Sequence, residues 1–224
     1  MKRASDPSSD RGPIKATKDD WQSAALRALV TQGIDSVMIL PLAKMLKVSR
    51  SSFYWYFKNR EDLLDHLLSH WMKTNNQAIL DHAHRPSSSI VAAVLNVFEC
   101  WVDERLFSPR LDFAIRNWAR QSKSVRKLID KADSERLAAI RQMYERHGYS
   151  SEDALIRARV LYYMQLGYYA LDVKEPMEAR LSHVESYLRA FTGKDPTDSE
   201  LQRFVAFVNG SRAKPPHRRA AKAA

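Results

Sequence analysis

Cysteine is nearly absent. Cys100 stands alone among 224 residues, so no internal disulfide can form, and a reducing compartment, the cytoplasm, is expected. Glycine is scarce, six in all, which argues against a β-rich fold with many tight turns. No run of ~18 apolar residues occurs, so no membrane-spanning helix is expected. Met1 to Pro13 is polar and lacks an apolar core, so no secretory signal is expected. A glycine-rich phosphate loop, a Gly-x-Ser-x-Gly turn and a dinucleotide fingerprint are all missing, so nothing supports an enzyme. What remains is the balance of a soluble globular chain, 45% apolar and 28% charged, long enough for one or two domains.

The net charge of +10 is unevenly placed. Residues 1–18 carry five basic and two acidic side chains, residues 19–60 six and three, and residues 211–224 five and none. Residues 61–210 carry 20 basic and 21 acidic groups and are close to neutral. Basic charge confined to the first 60 residues and the far end suggests a polyanion partner, although basic tails also serve solubility alone. Residues 1–14 and 211–224 read as flexible, basic, disordered tails.

Helical periodicity dominates the rest. Trp21, Ala24, Ala25, Ala28 and Leu29 mark one helix face, with Thr17 as N-cap, Asp19 and Asp20 in the first turn, and Gly33 as the stop. Asn59 caps a second pattern through Leu64, Leu67, Leu68, Trp71, Asn75 and Ile79. Ile90 to Leu106 is apolar on nearly all sides and predicts a buried helix. Further helices are expected over Leu111–Ala119, Ser122–His147, Ser151–Leu171, Pro176–Phe191 and Asp198–Val208. The expectation is an all-α chain of nine or ten helices, with no strand pattern and no internal repeat.

Between these lies a pair of very short helical patterns around a tight turn, residues 39–58. Ala43 is small where two helices must cross closely, Val48 and Phe53 are apolar where the second packs on the first, and Ser49 is an N-cap candidate. These are the demands of a helix-turn-helix whose second helix enters the major groove. Its free face would offer Arg50, Ser51, Tyr54 and Trp55, with Lys58 and Arg60 just beyond, all able to bond phosphates or base edges. Plain core elements also use such helix pairs.

The run Leu42-Ala43-x-x-Leu46-Lys47-Val48-Ser49-Arg50-Ser51-Ser52-Phe53-Tyr54-x-Tyr56-Phe57-Lys58-Asn59-Arg60-Glu61-Asp62-Leu63-Leu64 resembles the DNA-binding domain of tetracycline-repressor (TetR) family regulators. Two positions depart from that pattern: Lys47 stands where a turn glycine is usual, and Tyr56 where histidine is frequent. The resemblance implies a three-helix DNA-binding domain over residues 15–75. Thr17 and Lys18 would meet phosphate, Arg50 to Tyr56 with Ser52 among them would read the groove, and Lys58 and Arg60 would clamp the backbone. It further implies a larger helical ligand-binding and dimerisation domain over residues 76–210.

Within that second domain, Trp71, Phe98, Trp101, Phe113, Trp118, Tyr162, Tyr163, Tyr168 and Tyr169 fall on helices that enclose a pocket in this architecture, although aromatics at helical spacing also form plain cores. Arg116 and Asn117 are the polar candidates beside them, Arg116 for a carboxylate. Met177, Leu181, Val184, Leu188 and Phe191 repeat by four and three, an a/d seam, and Ala154, Ala158, Leu161, Gln165 and Tyr169 form a comparable stripe. Either stripe also suits packing within one chain; the resemblance favours a dimer interface. The histidine pairs His66/His70 and His82/His84 lack further ligands at fixed spacing, so no metal or cofactor is expected. The expected function is a ligand-responsive, dimeric repressor of transcription, released from a palindromic operator in double-stranded DNA by a small molecule. The alternatives are a DNA-binding structural protein of the same fold without small-molecule control, and a helical enzyme with an incidental basic patch.

Overall fold

The structure, a computed structural model, describes residues 16–213, with side chains described as far as Ser211. The expected N-terminal tail, and the C-terminal tail beyond Ala213, lie outside the described residues. Among the described residues there are eleven α-helices and no strand. The chain divides into two compact units, Met1–Leu68 and Ser69–Ala224.

The first unit begins with α1 (Lys18–Gln32), closed at its start by a reciprocal pair of bonds. The Thr17 hydroxyl accepts from the Asp20 N–H at 3.2 Å, and the Asp20 carboxylate accepts from the Thr17 N–H at 2.8 Å. The five residues marked by periodicity are the buried face. Gly33 ends the helix at φ 86°, a region costly for side chains, and a 3-10 turn over Ile34–Ser36 follows. Next come α2 (Ile39–Leu46), a 3-10 helix over Arg50–Trp55, and α3 (Arg60–Trp71), whose last three residues belong to the second unit. Asn59 caps α3, its side-chain oxygen accepting from the Asp62 N–H at 2.8 Å. Trp21, Phe53 and Phe57 meet in the core, with ring centres 5.2 and 5.3 Å apart from Phe53.

The second unit continues through a widened π turn, Met72–Asn76, and then α4 (Gln77–His84), α5 (Ile90–Val102), α6 (Pro109–Ala119), α7 (Lys123–Arg146) and α8 (Ser151–Ala170). It ends with α9 (Met177–Ser182), α10 (Val184–Thr192) and α11 (Asp198–Ala213). Ser89, Ser108, Ser122 and Ser150 each cap the helix they precede by accepting one backbone N–H, and Pro109 opens α6 where its missing N–H costs nothing. Helix α5 is the apolar centre, packed against α4, α10 and α11, while α7 lies along α8. Each fully buried Leu, Ile or Val there stabilises the fold by roughly 1.5–3 kcal/mol.

Three expectations are corrected. The helix from Ile90 stops at Val102, where Asp103 turns extended and binds Arg105, not at Leu106. The stretch expected as one helix from Pro176 to Phe191 is two, broken at His183. The last helix runs on to Ala213.

Candidate nucleic-acid interface and ligand cavity

The turn between α2 and the 3-10 helix is made by Lys47, at φ 56° and ψ 41°. A left-handed lysine costs roughly 1–2 kcal/mol relative to glycine. The Val48 N–H to Ala43 carbonyl bond, 3.0 Å, closes the helix end around it. The chain then bends back, so that Ser52 and Phe53 face inward while Arg50, Ser51, Tyr54 and Trp55 face out. Tyr54 is 55% exposed and Trp55 64%, large values for aromatic side chains in a packed unit.

The expected contact residues divide by what already holds them. Ser49 precedes the 3-10 helix in an extended conformation, but its hydroxyl does not cap; it bonds the Ser51 hydroxyl at 2.8 Å. Ser52 is buried, and its hydroxyl donates to the Ser49 carbonyl at 2.8 Å, so it does not stand on the outer face. Arg60 is likewise turned inward: Nε donates to the Val37 carbonyl at 2.6 Å and Nη2 to the Ile34 carbonyl at 3.0 Å. It braces the loop before α2. Tyr56 is half-buried. Thr17 and Lys18 are exposed at the start of α1, and the Lys18 ammonium lies 2.9 Å from His66 Nε2 and over the Phe57 ring. Lys58 is exposed, with its backbone N–H bound to Asp62. Lys44 and Lys47, exposed on and after α2, are further cations on this unit that the motif alone did not single out. Their signal was available: both lie off the Leu42–Ala43 face.

In the second unit a half-open cleft lies between α5, α8, α9, α10 and α11. Of the aromatics expected around a ligand, Phe98, Trp101 and Tyr168 line it. Trp71, Phe113, Arg116, Asn117, Trp118 and Tyr162 do not. Asn117 is exposed, Phe113 is half-buried, and Trp118 is buried elsewhere on α6.

Trp71, Arg116 and Tyr162 instead join a buried ion cluster. The Trp71 indole donates to Asp112 at 2.9 Å. Arg116 pairs with Asp112 at 2.8 Å and Asp133 at 2.6 Å. Arg136, with no exposed surface, donates to Asp112, Asn76 and the Tyr162 hydroxyl and lies 5.2 Å from the Trp71 ring centre. Burial works against the charge of Asp112, but Arg136, Arg116 and the Trp71 bond outweigh it and hold the carboxyl below the ordinary range. Arg116 is therefore not free to hold a ligand's carboxylate.

Most of the residues expected at a dimer seam pack within the single chain. Ala158, Leu161, Gln165, Val184 and Leu188 are buried within a single chain, and Met177 and Leu181 are half-buried. Gln165, Met177, Leu181 and Val184 line the cavity. The outer face of α8 carries a different stripe, Ile156, Val160 and Tyr163, each about half exposed. Helix α8 is apolar on two faces, and the periodicity picked the inner one.

Among the described residues no cluster of three His, Cys, Asp or Glu could hold a metal. Cys100 is buried, its thiol contacts the Ala78 carbonyl, and burial pushes its pKa well above the usual range, so it is not poised as a thiolate.

Residues 23–67 match the family model described as bacterial regulatory proteins, tetR family. Among solved structures, the chain is similar to Mycobacterium smegmatis AmtR at 18% identity and TM-score 0.56, over 92% of this chain and 99% of that one. It is similar to the reduced form of E. coli NemR at 18% identity and TM-score 0.53, over 87% and 97%. A third is a transcriptional regulator from Rhodococcus sp. Rha1, at 13% identity and TM-score 0.50 over 85% and 97%.

Proposed function

From a chain that resembles the TetR family, in the sequence of its first unit and in its fold, we propose a ligand-responsive, dimeric DNA-binding regulator of transcription, acting as a repressor released from a palindromic operator. The observation that carries this reading is the outward face of the 3-10 helix after Lys47. It sets an arginine, a hydroxyl, a phenol and an indole side by side on a basic unit. Arginine suits guanine edges, hydroxyls and phenols suit phosphates and bases, and aromatic surface suits thymine methyls. Lys18, Lys44, Lys47 and Lys58 supply the charge that a phosphate backbone attracts.

A single reading head covers half a site. The exposed stripe of α8 supports a two-fold dimer, whose heads would meet half-sites about 34–36 Å apart. A small molecule bound in the second unit would favour one spacing of the heads over another and so change DNA affinity. No helix among the described residues is long and apolar enough to cross a membrane, which fits work on DNA in the cytoplasm.

The test is selection of genomic fragments on the purified full-length protein, followed by footprinting and a reporter assay. The expected result is a palindromic site whose occupancy lowers transcription, with binding lost in Arg50→Ala. Equal affinity for all sequences, or enhanced transcription from the occupied site, would overturn the reading.

A further inference from the structure

The cavity between α5, α8, α9, α10 and α11 has apolar walls with Phe98, Trp101 and Phe204 among them, and it carries two nitrogen donors on its lining, the Gln165 amide and the Arg180 guanidinium. Gln165 is 95% buried, since only 5% of it is exposed, and its side-chain nitrogen has no hydrogen-bond partner. The Tyr169 phenol lies beside that amide and donates to the Trp101 carbonyl at 3.5 Å. Leaving a buried amide donor unsatisfied is costly, which is the signature of a partner that arrives from elsewhere. Arg180 lines the same cavity. Its guanidinium lies over the Tyr168 ring at 5.1 Å and has no carboxylate within ion-pair distance among the described residues. The acidic group on the wall, Glu175, already accepts the Tyr168 hydroxyl at 2.8 Å. Glu175 is thus held on Tyr168 through one oxygen, while no carboxylate among the described residues pairs with Arg180.

We propose that this cavity is a site for a small aromatic carboxylate. Its ring would lie among Phe98, Trp101 and Phe204, its carboxylate would meet Arg180, and the Gln165 amide would donate to one of its oxygens. The inference rests on reading the second unit as the effector-binding part of a regulator, and it assigns that effector's chemistry. A neutral ligand would leave Arg180 without an anionic partner; Glu175 on the same wall would favour a cation, and titration sets the two against each other.

Calorimetric titration of the full-length protein without DNA tests this with three probes of one shape: 2-naphthoate, 2-naphthamide and 2-naphthylmethylammonium. The expected order is naphthoate tightest, the amide at least ten-fold weaker, and no measurable ammonium binding. Arg180→Met should weaken naphthoate ten-fold or more, the scale of a lost charge-assisted bond, and bring it level with the amide. Gln165→Leu should weaken naphthoate several-fold. Equal binding of acid and amide, preference for the ammonium, or no binding of any probe would overturn the proposal, and the three-probe comparison needs no variant to fold. DNA sequence selectivity, measured separately on the same preparation, distinguishes failure of this inference from failure of the regulator reading.

Discussion

Asp112 keeps its charge with no surface in water because three groups converge on it: Arg136, Arg116 and the Trp71 indole. Removing the carboxylate would strand Arg136, which has no exposed surface either. Asp112→Ala should therefore cost about 3–5 kcal/mol in urea denaturation, the range for breaking a buried pair from one side. Replacing Asp112 and Arg136 together by Leu and Met should cost much less, since no charge is then abandoned. A single-variant loss under about 1 kcal/mol, the usual worth of an exposed pair, would show that the cluster does not hold the unit together. The acid side follows from the same groups. The folded carboxyl lies below its unfolded value, so its contribution is complete above about pH 4 and fades as pH falls through the lower folded value. Arg60 and Tyr54 separate in the first unit for a similar reason. Tyr54 is exposed, with its ring edge-on to Phe53 at 5.4 Å between centres, so Tyr54→Ala should weaken operator binding by roughly 1–3 kcal/mol and move the melting temperature little. Arg60→Ala should do the reverse, lowering stability first, because two loop carbonyls lose their donor.

Among the elements, α1 and the caps were legible because they are local. Thr17 and Asn59 sit within three residues of the groups they satisfy, and a period of 3.6 residues marks one face of α1. Lys47 was placed at the turn by the resemblance, and its φ of 56° is the left-handed conformation such a turn needs. It offers a clean test: Lys47→Gly should raise stability by about 1 kcal/mol by removing left-handed strain, read as a higher denaturation midpoint, while lowering affinity for random DNA by removing a cation. Helix α8 shows where local pattern fails. Its inner stripe, Ala154, Ala158 and Leu161, and its outer stripe, Ile156, Val160 and Tyr163, have the same period, and only the packing of α7 and α10 decides which is buried. The break at His183 has the same character, since a four-three repeat continues across it. The buried cluster that takes up Arg116 was not legible for a further reason. Arg116 and Arg180 are both arginines beside aromatics, and what tells them apart is the pair Asp112 and Asp133, the second seventeen residues from Arg116 and on another helix.

At the scale of the whole molecule, charge and symmetry make joint demands. Residues 19–60 carry six basic and three acidic side chains, and the proposed two-fold dimer would double that excess at the DNA. Binding should weaken steeply with salt, by about −0.9 in log–log slope for each phosphate neutralised, and Lys58→Ala should flatten the slope by ~1 per contact without changing sequence preference. The dimer itself is best tested at α8. Val160 is half exposed in one chain, so a glutamate there would leave the monomer's core untouched. In a two-fold interface it would place a carboxylate in a dry contact once from each subunit, and burying an unpaired charge costs several kcal/mol. Val160→Glu should run as a folded monomer in light scattering, with an unchanged far-ultraviolet dichroism spectrum, and should lose most operator affinity because one head meets one half-site. Leu188→Glu makes the contrast: that side chain has no exposed surface within one chain, so the same charge should unfold the second unit rather than split a dimer. If Val160→Glu stayed dimeric at full affinity, the outer stripe of α8 would not be the seam. If Leu188→Glu gave the folded monomer instead, the stripe marked by the four-three repeat would be the interface after all.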